Sequence, residues 1–171
     1  MAKAQEEIYL GNPNLKKANT EIEFTQEQIQ EWIKCKSDPI YFTKNYVKIV
    51  SLDEGLVQFK MWDFQEELIK NFHENRFNIC KMPRQTGKST TCVSYLLHYA
   101  VFNDSVNIGI LANKAATARE LLGRLQTAYE NLPKWMQQGI ISWNKGSLEL
   151  ENGSKILAAS TSASAVRGMS F

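Results

Sequence analysis

The chain has 171 residues, 43% of them hydrophobic, which is enough for one ordinary globular core and too little for two independent ones. Twenty Lys and Arg against eighteen Asp and Glu leave a net charge of +2, so overall charge announces no nucleic-acid partner and any such contact has to be local. Cys35, Cys80 and Cys92 are too widely spaced for a zinc site and odd in number for a disulfide framework, and no run approaches the ~20 apolar residues of a membrane span; reduced thiols in the cytoplasm, with no membrane or signal segment, are the expectation.

Residues 1–24 mix charge, Asn and a Gly-Asn-Pro turn without periodicity and read as a partly ordered N-terminal extension. From Thr25 the pattern changes: Thr25 and Gln28 form a capping box, and Ile29, Trp32 and Ile33 share a helical face. Asp38 and Pro39 open a second, short helix. Two β-compatible runs, 47–50 and 56–60, flank an Asp-Glu-Gly turn and predict a hairpin, and a helix over 63–73 follows with Phe64, Leu68 and Phe72 on one side.

The next segment reads strand (77–81), loop (82–87), helix (88–102), and the alternation repeats with a strand at 106–111 and a helix at 114–129. Two βα units in series imply crossovers and a parallel sheet. Past Pro133 come three short β-runs, 140–143, 148–150 and 155–158, the last two joined by Asn152-Gly153, a strong hairpin signal. The four tryptophans and His98 read as packing, His73 as surface, and Lys16, Lys17, Lys44, Lys48 and Lys114 as solvated charges.

The chemistry sits in Pro83-Arg84-Gln85-Thr86-Gly87-Lys88-Ser89-Thr90, at the junction of strand and helix. Phosphates are held by inward backbone N–H groups and the positive end of a helix, and Gly87 permits close approach. Lys88 is placed to reach the β- and γ-phosphates and the Ser89 hydroxyl to ligate Mg²⁺, making ATP with Mg²⁺ the expected ligand. Met82 stands where the common pattern begins with Gly. Phe64 and Gln65 precede this loop at the start of a helix: an aromatic ring stacks on adenine and an amide satisfies both a donor and an acceptor on its edge, though core packing for Phe64 and solvent for Gln65 account for the same residues. Arg84 offers a second cation for charge developing at the γ-phosphate, or a salt bridge that shapes the loop.

The loop without its first Gly, with Arg84-Gln85 ahead of Gly87-Lys88-Ser89, resembles the variant phosphate loop of the large terminases of tailed bacteriophages, in particular those of large myoviruses with contractile tails. The resemblance runs through Asn12-Pro13-Asn14-Leu15-Lys16, Trp62-Asp63-Phe64-Gln65, Trp143-Asn144-Lys145-Gly146-Ser147 and Val166-Arg167-Gly168. It implies an α/β, RecA-like P-loop NTPase core with a parallel sheet flanked by helices, an N-terminal helical extension and C-terminal antiparallel strands. It also implies that Gln65 reads adenine and that Arg167 is a finger reaching a neighbouring subunit, where a surface or DNA-facing arginine is the plainer alternative. The implied activity is ATP-driven translocation of double-stranded DNA into a capsid by a homo-oligomeric ring, with portal protein and small terminase subunit as partners, in the host cytoplasm at the procapsid portal.

No apolar run ending in Asp-Glu follows Ala159, so the acids that complete Mg²⁺ and activate water are expected outside this sequence, as is the family's nuclease domain. Residues 25–171 thus read as a partial ATPase domain that binds nucleotide without efficient turnover. A helicase or restriction-type translocase shares the loop and the adenine Gln but not the Arg-Gln form, and a non-catalytic nucleotide-binding or assembly module fits the missing acids.

Overall fold

The computed structural model describes residues 7–51 and 53–161. Strand β1 (Ile8–Tyr9) pairs antiparallel with β2 (Asn12–Lys16) around Gly11, whose φ of 78° suits the tight turn. This hairpin is sewn onto the far end of the chain. Leu15 enters the core, the Gln137 amide accepts from Lys16 N and donates to Asn14 O, and Lys17 bridges in parallel to Ile140. Lys16, expected to be solvated, is buried at 8% exposure, because the Glu151 carboxylate 3.0 Å away neutralises it.

Helix α1 (Gln26–Ser37) starts with the predicted capping box, Thr25 Oγ1 accepting from Gln28 N and Gln28 Oε1 accepting from Thr25 N. Asp38 ends α1 and caps α2 (Pro39–Tyr46), its Oδ1 accepting from Ile40 N and Tyr41 N at 2.9 Å, with Pro39 at the first position where no N–H is needed. The α1 face differs from expectation: Cys35 is fully buried and Trp32 half-buried, whereas Ile29 and Ile33 are exposed. Strands β3 (Lys48–Ser51) and β4 (Gly55–Gln58) form the predicted hairpin. Helix α3 (Asp63–Glu74) buries Gln65, Leu68 and Ile69 and leaves Phe64 exposed. Trp62, expected to pack, is 70% exposed.

Helices α4 (Lys88–Phe102) and α5 (Ala115–Glu130) pack on each other, with β5 (Asn107–Ala112) between them in sequence. A 3₁₀ turn at Lys134–Met136 leads to β6 (Ile140–Trp143), β7 (Ser147–Leu150) and β8 (Lys155–Ser160). The sheet order is β5-β8-β7-β6, with β5 and β8 parallel from Asn107↔Lys155 to Ala112↔Ser160 and the other pairs antiparallel. One core runs from Leu15 and Phe42 through Leu97, Leu122 and Leu125 to Leu148 and Ile156. Burying each such side chain stabilises the fold by ~1.5–3 kcal/mol. Among the described residues no helix is long and apolar enough to cross a membrane.

Two expectations are corrected. The expected C-terminal antiparallel strands are present as β6, β7 and β8, joined by short turns, but the parallel sheet expected of two βα units is reduced to the single pair β5–β8, so the sheet is mixed. Residues 77–81 form no strand: Phe77 is 83% and Ile79 100% exposed. Their β-favouring side chains supply conformation but not a ladder, and among the described residues no strand pairs with them.

Candidate functional site

The site is built where residues 82–87 turn into α4. Gln85 and Gly87 both take left-handed backbone, with φ of 62° and 74°, so the loop turns tightly before α4 begins. Met82 is absent from the positive-φ residues, so its position needs no glycine and the departure from the common pattern carries no strain. Lys88, first residue of α4, folds back over the loop: Nζ donates to Met82 O at 3.1 Å and also to Pro83 O. Thr86 Oγ1 donates to Pro83 O at 3.0 Å, closing the turn from inside.

The helix end is left open. Gly87 is the N-cap residue of α4 and supplies no side-chain acceptor, and the first helical bond, Thr91 N to Gly87 O at 2.9 Å, is joined by Thr91 Oγ1 to the same carbonyl at 3.1 Å. The leading N–H groups of such a helix have no intrahelical partner and carry the positive end of its dipole. An ammonium group laid across the loop beside the uncapped N-terminus of a helix suits a multiply charged anion of phosphate type.

The N-terminus of α3 abuts this loop. Gln65 is 4% exposed; its Oε1 accepts from Trp62 N at 3.0 Å and its Nε2 donates to Thr86 O at 3.2 Å. A β-carbon on Gly87 would stand 2.4 Å from that Nε2, so Gln65 fills the space that glycine leaves. The structure thus brings Gln65 onto Thr86 and Gly87, and Lys88 onto the Met82 and Pro83 carbonyls, with Ser89 and Thr90 following on α4 and Phe64 43% exposed beside Gln65. Ser89, Arg84 and Gln85 are exposed, and Arg84 makes no ion pair among the described residues. Arg167 lies outside the described residues. One turn along α4, burial pushes the Cys92 thiol up, helped by Cys80 and opposed by Lys88, so it is neutral near the loop.

Sequence reasoning missed two parts of this arrangement. The acceptors that park Lys88 are backbone carbonyls, which leave no side-chain signature, and the Gln65 amide is already engaged with the loop. The late acidic side chains are engaged elsewhere: Glu130 accepts from Asn12 Nδ2, Glu149 pairs with Lys155 at 2.8 Å and Glu151 with Lys16. Residues 79–171, from the approach to the loop onward, match the family model described as terminase large subunit, T4likevirus-type, N-terminal.

Proposed function

Because the chain belongs to the T4likevirus-type terminase large subunit family of phage DNA-packaging proteins, we propose that it binds ATP with Mg²⁺ at the loop 82–87 and the N-terminus of α4, as part of a RecA-like packaging ATPase. The observation that carries this reading is Lys88 Nζ laid over the Met82 and Pro83 carbonyls beside an uncapped helix end. The loop N–H groups and α4 hold the phosphates, Lys88 neutralises the β- and γ-phosphoryl oxygens, and the exposed Ser89 hydroxyl completes part of the Mg²⁺ shell. Gln85, Thr86 and Thr90 contribute backbone to the cradle, Phe64 stacks on the base, and Arg84 acts on the terminal phosphate. Arg167 serves a neighbouring copy in the assembled ring. Translocation of double-stranded DNA, with portal protein and small terminase subunit as partners at the procapsid portal in the host cytoplasm, completes the proposal.

Hydrolysis needs carboxylates that orient water and complete the metal shell, and Glu130, Glu149 and Glu151 are held by other partners. Residues 1–171 are therefore proposed to bind nucleotide with phosphate release near background. Titration calorimetry tests the site: MgATP should bind one-to-one, and Ser89→Ala should reduce the gain in affinity that Mg²⁺ confers. An unchanged Mg²⁺ dependence in Ser89→Ala would remove Ser89 from the metal site.

A further inference from the structure

We propose that Gln65 is a positioning residue for the phosphate loop as well as a base contact, so that one buried amide couples recognition of the base to the geometry that receives the phosphates. This rests on the reading of residues 82–87 as a phosphate site and goes beyond it in assigning the loop's shape to a residue of another helix. A carboxamide has two N–H donors and two acceptor lone pairs. In Gln65 one lone pair is taken by Trp62 N and one N–H by Thr86 O. One donor and one acceptor are left over, the complement that an adenine edge requires.

The hold on Thr86 O has a defined consequence. The peptide between Thr86 and Gly87 is planar and trans, so its C=O and N–H point in opposite directions. With the carbonyl pinned toward Gln65, the Gly87 N–H is turned away from α3. Gly87, with its φ of 74°, is otherwise the residue most able to let that peptide flip. The missing β-carbon serves the same contact, since one would stand 2.4 Å from Gln65 Nε2. Burial at 4% exposure keeps water from replacing Thr86 O as the partner.

A purely base-reading Gln65 would affect only adenine nucleotides; a loop-positioning one affects every polyphosphate. Wild type, Gln65→Ala and Gln65→Glu are compared by calorimetry with MgATP, MgGTP and inorganic tripolyphosphate, and by amide hydrogen exchange of the ligand-free chain over residues 84–90. The Glu variant keeps the acceptor for Trp62 N but sets a carboxylate oxygen against Thr86 O, so it should behave like Ala on the loop. We expect both variants to lose about fivefold to tenfold in tripolyphosphate affinity, to lose at least as much with either nucleotide, and to exchange faster over 84–90 while α5 is unchanged. Unchanged exchange and unchanged tripolyphosphate affinity, with ATP reduced to the level of GTP, would overturn the proposal. Should wild type bind no polyphosphate, the reading of the site itself falls, and the exchange comparison still decides whether Gln65 holds the loop.

Discussion

Lys16 Nζ lies 3.0 Å from Glu151 Oε1, tying the N-terminal hairpin to the turn between β7 and β8. Burial alone would raise the Glu151 carboxyl, but Lys16 and the backbone at Gly139 and Asn19 outweigh it and hold it below the usual range. Gly139 is required for the same closure, because a β-carbon there would stand 2.5 Å from Ala18 Cα. Glu151→Ala should destabilise the chain by about 1–3 kcal/mol, since it leaves a mostly buried ammonium without its partner. It should also open Lys16 and Lys17 to trypsin. Thermal unfolding and timed proteolysis check both, and wild-type resistance in the variant would mean that the strap is held by Leu15 and Gln137 alone.

His98, at the contact of α4 with α1, donates through Nε2 to Cys35 O at 2.9 Å. Its pKa is lowered to about 4, chiefly by burial, with the bond to Cys35 O partly opposing and His73 adding to the fall. The folded state therefore prefers neutral imidazole. Stability is fully present above the unfolded value of about 6.5 and is lost as the pH falls toward the folded value, by about 3 kcal/mol at the limit. Urea unfolding at several pH values between about 7 and 4 should show this slope, and His98→Gln, which keeps a donor, should flatten it. An identical slope in the variant would assign the acid sensitivity to the carboxylates.

Where structure depends on neighbours in sequence, the sequence was a sufficient guide. The Thr25–Gln28 box, the Asp38–Pro39 start, the Lys88–Phe102 span and the Asn152-Gly153 turn all rest on local chemistry and stand where they were expected. Contacts between distant segments were not legible. Nothing near Asn152 says that its side chain will donate to Ala100 O and Asn103 O at the end of α4, and nothing near Lys16 points to Glu151. Residues 77–81 fail for the complementary reason, since β-favouring side chains record a preference and a strand also requires a partner. At the candidate site, type and spacing singled out Gly87, Lys88 and Gln65 in the sequence, but the hold of the Gln65 amide on Thr86 O, a backbone acceptor 21 residues away, left no signal there.

Gly87→Ala combines two faults. A side chain at a φ of 74° costs ~1–2 kcal/mol, and the new β-carbon displaces the Gln65 amide. MgATP affinity should fall by more than about tenfold. Because both substitutions break one contact, Gln65→Ala with Gly87→Ala should lose less than the two single losses added together. Strict additivity in calorimetry would show that Gly87 and Gln65 act independently.

Lys88 and the open end of α4 are proposed to form a nucleotide phosphate site. The most direct test is calorimetric titration of MgATP into wild type and Lys88→Ala, with matched circular dichroism spectra establishing that both are folded. A charge-assisted contact to phosphate is worth ~1.5–3 kcal/mol. Wild type should bind with one-to-one stoichiometry and Lys88→Ala at least about tenfold more weakly; equal affinity in the two proteins, or no binding by wild type, would contradict the account.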